Sequence, residues 1–141
     1  MPWTYTIDPE QRRARVHLWG HVRGRECLVI TEALLADARW QPGFDELWDT
    51  RDLEGYLMDA DELESISRQE IDNRARIGAG RIATVIPDPV KRPIPALKPK
   101  LLRGYIAGES AQSGFCPRDW LITPDLDEAI AFLDRRAAPS P

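Results

Sequence analysis

Apolar and polar side chains alternate along two stretches near the start of the chain, Trp3–Asp8 and Arg13–Trp19. Strict alternation is typical of a strand that buries one face. Residues 8–11 read Asp-Pro-Glu-Gln, which is typical of a turn because proline fixes its own backbone angle φ. Gly20 follows the second stretch. We therefore predict a β-hairpin whose second strand ends at Gly20.

The spacing of apolar residues changes to three and four after about Arg23, which predicts an amphipathic helix that extends to Ala38. Pro42-Gly43 ends this pattern. Residues 45–49 then predict a short strand, and residues 50–58 predict a loop or an extension of that strand. The first half of the chain therefore combines a hairpin, a helix and a third strand.

A second helix is predicted to begin at Asp59 or Asp61, since aspartate is a favoured N-cap and further acids suit the first turn. Its apolar stripe includes Ala75, and the glycines of Gly78-Ala79-Gly80 end it. Residues 81–86 are almost continuously apolar, which predicts a strand that is buried on both faces.

Prolines at positions 93, 95 and 99 disfavour a helix before about Lys100, after which the spacing predicts a short third helix. Trp120–Thr123 predicts the last strand. Thr123 is predicted to cap a final helix that has Pro124 at its first position, and residues 137–141 to form a frayed tail.

The predicted order of elements is β-β-α-β-α-β-α-β-α. Strands that alternate with helices favour an α/β fold with a mostly parallel central sheet, against which the helices pack. The exception is the N-terminal hairpin, which is antiparallel. We predict a single domain over residues 1–136.

Composition narrows the class of protein. The chain has 141 residues, 43% of them hydrophobic, and a formal net charge of −4, which excludes a disordered chain and permits a core without disulfides or metal. No apolar run approaches the roughly 20 residues of a membrane span, and the first residues do not resemble a signal peptide. We therefore expect a cytoplasmic protein in which Cys27 and Cys116 are free thiols.

Charge is distributed unevenly along the chain. Residues 37–72 contain 12 acidic and 3 basic side chains, whereas residues 73–103 contain 8 basic and 1 acidic. Two opposite blocks can steer partners and favour a homodimer, although two solvated helix faces would give the same pattern. The basic block lacks interleaved aromatic residues, so nucleic-acid binding is not expected.

Candidate chemistry is sparse. His17 and His21 are four residues apart, but Gly20 interrupts them, so no metal site is predicted. Several acids cluster near the end of the third strand, where ligands often bind in α/β sheets, although capping and solubility also explain them. These acids are Asp49, Asp52, Glu54, Asp59, Asp61 and Glu62. No catalytic set and no cofactor motif is visible, so an enzyme is not expected.

Short motifs along most of the chain resemble the STAS domain, the fold of bacterial anti-anti-sigma factors, and a small branch of bacterial proteins within it. The matching features are Tyr5-Thr6-Ile7-Asp8, Gly20, Phe44 before Leu47-Trp48-Asp49-Thr50-Arg51, the strand Arg81–Ile86, and Asp127-Glu128-Ala129-Ile130-Ala131-Phe132-Leu133. The resemblance implies the fold deduced above and a regulatory role through protein contacts.

The phosphorylation switch of that family does not match. Sigma-regulating members carry Asp-Ser-Ser/Thr-Gly at the start of the second helix, and the equivalent positions here are Asp59, Ala60, Asp61 and Glu62. Asp59 matches the family's aspartate, Asp61 stands at the phosphoacceptor position, and Glu62 replaces the glycine. Because no hydroxyl is present, the resemblance implies either a fixed mimic of the phosphorylated form or no switch.

Two functions remain open. The first is a non-enzymatic regulatory module that contacts an unknown protein partner through Arg92, Lys98 and Lys100. The second is a carrier of a small apolar, lipid-like molecule, because the branch is also similar in topology to CRAL-TRIO lipid carriers. The third predicted helix would act as a lid over its pocket, and the residues that line the pocket would be Leu97, Leu101, Leu102, Tyr105 and Ile106.

Overall fold

The computed structural model describes residues 2–88 and 118–135. Within these two ranges the chain forms strands and helices in alternation after an initial pair of strands. They are β1 (Trp3–Asp8), β2 (Arg13–Arg23), α1 (Gly24–Ala36), β3 (Asp45–Leu57), α2 (Ala60–Asp72), α3 (Arg74–Ile77), β4 (Ile82–Val85), β5 (Trp120–Thr123) and α4 (Leu126–Asp134).

The five strands form one sheet in the order β1-β2-β3-β4-β5. β1 pairs antiparallel with β2, and the other neighbouring strands are parallel. The prediction of an α/β fold with a mostly parallel sheet and an antiparallel hairpin is therefore confirmed. The predicted third helix and the C-terminal tail lie outside the described residues, and so does Cys116.

Helices cover both faces of the sheet, but unequally. Trp48 packs in a cluster with Cys27 of α1 and Ile66 of α2. Leu47, the neighbour of Trp48, packs instead with Leu133 of α4. Because successive side chains of a strand point to opposite faces, α1 and α2 lie on one face and α4 on the other.

The core is larger on the face covered by α1. There the side chains of β1 and β2 pack with those of α1 and of the loop that follows it. The buried members are Ile7, Ala14, Val16, Leu18, Val22, Ile30, Leu34, Trp40, Phe44 and Leu53. β4 is buried at each of its four positions, as its apolar pattern predicts.

β2 is longer than the pattern predicts, and β3 takes the longer of its two predicted forms. β2 does not end at Gly20 but continues to Arg23, with shifts in its register to β3 on either side of Gly20. Gly20 has a φ of 67°, a conformation that glycine adopts freely, so it bends the strand instead of ending it. β3 includes the whole extension to Leu57, where it is still paired with Arg23.

Helix ends also differ from prediction. α2 ends at Asp72, and Arg74–Ile77 forms the separate short helix α3, in which Ala75 is exposed.

The N-cap of α4 is Asp125, because its carboxylate accepts hydrogen bonds from the Asp127 and Glu128 amides. Thr123, the predicted cap, accepts instead from the Asp125 amide and donates to Glu128.

We expect Gly80→Ala to destabilise the protein, because its added Cβ would lie well inside van der Waals distance of the backbone carbonyl of Phe44. Backbone cannot rotate away as a side chain can, so the free energy of unfolding should fall by about 1–3 kcal/mol. Urea denaturation measures the change. Gly20→Asn is the control, since no atom lies within 4 Å of the new Cβ and asparagine tolerates positive φ. An equal fall in the free energy of unfolding of both variants would contradict the packing argument.

Candidate functional site

A cavity of about 80 Å³ lies between the sheet and helices α1 and α2. Most of its walls are aliphatic or aromatic side chains, and three charged side chains reach it from different elements. The described residues that line it are Leu18, Cys27, Thr31, Glu46, Trp48, Thr50, Leu53, Tyr56, Ile66, Glu70, Ile82, Thr84, Ile86, Arg118 and Trp120. We call this space the inner cavity.

A buried ion cluster forms part of the wall of the inner cavity. Arg118 donates from Nε and Nη2 to the two carboxylate oxygens of Glu70, at 2.7 and 2.9 Å, and from Nη1 to Glu46. Trp48 donates its indole N–H to the other oxygen of Glu46 at 2.9 Å. The Arg118 side chain is only 3% exposed. Each charged group in the cluster therefore has a charged partner in place of water.

The cluster contains two carboxylates and one guanidinium. Burial raises the pKa of Glu70; the positive charge of Arg118 opposes this and the negative charge of Glu46 adds to it. The pKa of Arg118 is also raised, because its two carboxylate partners outweigh its own burial. Arg118 therefore stays charged, and Glu70 takes up a proton at a higher pH than an exposed glutamate does.

Tyr56 and Cys27 contribute a second polar contact, with the phenol oxygen and the thiol sulfur 3.6 Å apart. Burial, and then the neighbouring thiol, raises the pKa of Tyr56 far above its usual range. The phenol therefore stays protonated. Together with the ion cluster it gives the inner cavity fixed hydrogen-bonding groups among mainly apolar walls.

The opposite face of the sheet has a wider recess, about 370 Å³ in volume, where α4 does not cover β1 and β2. The residues that line it are Thr4, Tyr5, Thr6, Arg15, His17, Asp49, Arg51 and Asp52. All are polar, but the side chain of Tyr5 packs on the α1 face, where its hydroxyl donates to Asp37. We call this recess the open face.

Asp49 organises the arginines of the open face. Arg51 donates from Nε and Nη2 to its two carboxylate oxygens, at 2.9 and 2.8 Å, and Nη2 of Arg15 lies 3.6 Å away. Burial alone would raise the pKa of Asp49, but the hydrogen bonds from Arg51 outweigh it and hold that pKa below the usual range. Asp49 is therefore a permanent anion that holds Arg51 in place.

His17 lies beside this group. Its Nε2 atom is 2.7 Å from a carboxylate oxygen of Asp52, and its ring centroid is 5.2 Å from that of Trp19. Trp19 is partly exposed, whereas Trp40 is buried and donates its indole N–H to the Arg76 carbonyl.

The positions equivalent to the phosphorylation switch form a capping box at the start of α2. Asp59 accepts from the Glu62 amide at 2.7 Å, and Glu62 accepts from the Asp59 amide at 3.1 Å. The second oxygen of Glu62 accepts from the Arg25 amide at 2.7 Å, which joins α1 to α2. Of the two predicted N-cap candidates, Asp59 is thus the N-cap, while Ala60 and Asp61 are exposed in the first turn.

Several predicted site residues cannot be compared with the fold. Arg92, Lys98 and Lys100, and the pocket residues Leu97, Leu101, Leu102, Tyr105 and Ile106, lie outside the described ranges. The predicted acidic cluster is divided. Asp49 and Asp52 lie on the open face, and Glu54 is 3.7 Å from His21. Asp59 and Glu62 cap α2, and Asp61 is exposed in its first turn. Within residues 2–88 and 118–135, no three side chains could together hold a metal ion, and no helix could cross a membrane.

The charged residues of the inner cavity were missed in the sequence because their contacts are long-range. Arg118 lies 72 residues after Glu46 and 48 after Glu70. The available signal was weak. Glu46 directly precedes Leu47 and Trp48 in β3, and Glu70 falls on the apolar stripe of α2, where a charged residue needs a partner.

The raised pKa of Glu70 predicts how stability depends on pH. A carboxyl whose pKa is higher in the folded state favours folding below its unfolded pKa, about 4.3, and that contribution is lost as pH rises. Glu70→Gln removes the titration. Subtracting the variant's free energy of unfolding from that of the unaltered protein should therefore give a value that falls as pH rises above the unfolded pKa. A value that rises with pH, measured by urea denaturation, would contradict the assignment.

The sequence and the fold can be compared with those of known proteins. No protein-family model matches the chain, and no curated protein matches it in sequence. Among solved structures it is similar to an uncharacterised protein of the DUF3478 family with a SpoIIAA-like fold, from Shewanella loihica PV-4. The two share 13% sequence identity over 93% of each chain, with a TM-score of 0.50. The chain therefore has the SpoIIAA-like, or STAS, fold that its motifs imply.

Proposed function

We propose that this protein is a non-enzymatic binding module whose ligand is a small, mainly apolar molecule held in the inner cavity. The observation that carries the proposal is a recess with apolar walls and a few converging polar groups, which is the usual form of a ligand site. Two of the walls are the tryptophans Trp48 and Trp120. Large aromatic surfaces of this kind supply much of the binding energy for apolar ligands.

The volume of the inner cavity limits the size of the ligand. A cavity of about 150 Å³ admits benzene, and the inner cavity is about half that size at 80 Å³. It therefore fits a group of a few heavy atoms and not a whole lipid. The ligand is either a very small molecule or the apolar end of a larger one.

Polar groups in the cavity would orient the ligand. Three threonines, Thr31, Thr50 and Thr84, line the cavity, and the hydroxyl of Thr50 already donates to the Val85 carbonyl. The buried guanidinium of Arg118 uses its Nε and both terminal nitrogens to bind carboxylates, which makes its position rigid. A ligand with one hydroxyl or carbonyl group next to a short apolar part complements these walls.

A protein-contact role is the second candidate, and one feature near the switch position favours it. Leu57 is 66% exposed, although it is large and apolar, and it lies two residues before the capping box of α2. Asp61 is exposed in the next turn. An apolar anchor beside acids suits a partner with a basic, partly apolar surface. With no hydroxyl at this position, such a contact would not be switched by phosphorylation.

Native mass spectrometry of the untagged protein tests both candidates. We expect an additional non-covalent mass that is lost on denaturation, and we expect Ile82→Phe, which fills the inner cavity, to lose it. Ile130→Phe is the matched control, because Ile130 packs on the α4 face. If the purified protein is bare, titration with 1-butanol should give a saturable change in tryptophan fluorescence that Ile82→Phe abolishes.

Two results would contradict ligand binding. One is a bare protein whose fluorescence does not respond to 1-butanol, and the other is equal behaviour of the two phenylalanine variants. A bare protein that is a dimer, and that becomes monomeric in Leu57→Glu, would instead support the protein-contact role.

A further inference from the structure

We propose that the open face is an oxyanion-binding site, selective for a phosphate group, and independent of the inner cavity. The two recesses lie on opposite faces of the sheet, so the inference does not rest on the proposed function. Three kinds of observation carry it: donors without partners, a buried carboxylate that positions the arginines, and a concave shape.

The first observation is a set of unused hydrogen-bond donors. Arg15 lines the open face, 45% of its side chain is exposed, and within the described residues it has only the ion pair with Asp49. The hydroxyls of Thr4 and Thr6 also make no side-chain hydrogen bond there. In the β1–β2 register Thr6 stands directly opposite Arg15, which brings their Cβ atoms to about 5 Å.

The second observation is the way in which the arginines are held. Asp49 is buried, and both of its oxygens accept hydrogen bonds from Arg51. Those bonds use Nε and Nη2, which leaves the Nη1 donors of Arg51 for a ligand. Arg15 is drawn to the same carboxylate from the neighbouring strand. Guanidinium groups fixed in this way lose little side-chain entropy when an oxyanion binds.

The carboxylates of the open face do not prevent binding, because each already has a partner. Asp49 is neutralised by Arg51, and Asp52 bonds to His17 at 2.7 Å. Arg15 and Arg51 share the single carboxylate of Asp49, so this group of three side chains carries an excess positive charge. An oxyanion beside Arg15 would also be near His17, which stands opposite Thr4 in the sheet.

The donor set favours phosphate over a carboxylate. A carboxylate presents two oxygens and is satisfied by one guanidinium, whereas a phosphate monoester presents three oxygens and more negative charge. Two guanidiniums and two hydroxyls match the larger number of acceptors. The recess of about 370 Å³ exceeds the size of a phosphate ion, so the group would belong to a larger small molecule.

The test is a titration of the whole protein with inorganic phosphate at pH 7 and constant ionic strength, followed by amide NMR shifts. We expect saturable shifts confined to residues 4–6, 15–17 and 49–52, with a dissociation constant on the order of millimolar. Arg15→Gln should weaken binding about tenfold or more. Arg15→Lys keeps the charge but loses the planar fork, so it should recover only part of the affinity.

Arg74→Gln is the matched control, because Arg74 is an exposed arginine on α3, away from the open face. It should bind phosphate as the unaltered protein does. Equal affinity in Arg15→Gln, or equal weakening in Arg74→Gln, would overturn the site. Acetate that binds as tightly as phosphate would overturn the selectivity. None of these results depends on whether 1-butanol enters the inner cavity.

Discussion

The arrangement of both recesses depends on the buried carboxylates of β3. Asp45, Glu46 and Asp49 are all nearly inaccessible to water, and a buried carboxylate is tolerated only with charged or hydrogen-bonding partners. Asp45 accepts from the Arg81 amide at 2.9 Å, immediately before β4 begins. Glu46 binds Arg118 on one face, and Asp49 binds Arg51 on the other. β3 thus determines which arginines are drawn to each face.

The Glu46–Arg118–Glu70 cluster joins three elements that are remote in the sequence. Glu70 belongs to α2, Glu46 to β3, and Arg118 closely precedes β5. Buried ion pairs contribute little net stability compared with apolar side chains of the same size, because desolvation offsets their attraction. Their geometry is strict, however, because any shift would leave a charge without a partner. The cluster is therefore better explained as a device that fixes the walls of the inner cavity than as a source of stability.

Elements governed by local pattern could be predicted from the sequence, whereas the contacts that form the recesses could not. The alternation in β1, the continuous apolar run of β4 and the capping role of Asp59 were each visible in a short stretch of residues. Gly20 was misread because glycine marks both the end of a strand and a bend within it. The partners of Arg118 depend on chain crossings over 48 and 72 residues, and no local pattern encodes them.

The unequal covering of the sheet explains why a polar recess exists at all. A helix with its side chains is about 10 Å wide and strands are about 4.8 Å apart, so one helix cannot cover a sheet of five strands. On its face α4 packs against β3, β4 and β5 and reaches β2 through the ion pair of Asp134 with Arg13, and no other described helix covers the rest of β1 and β2 there. The sequence agrees with this: Thr4, Thr6, Arg15 and His17 occupy the uncovered positions, and the intervening residues are apolar and face α1. The open face is thus encoded by the same alternation that builds the core behind it.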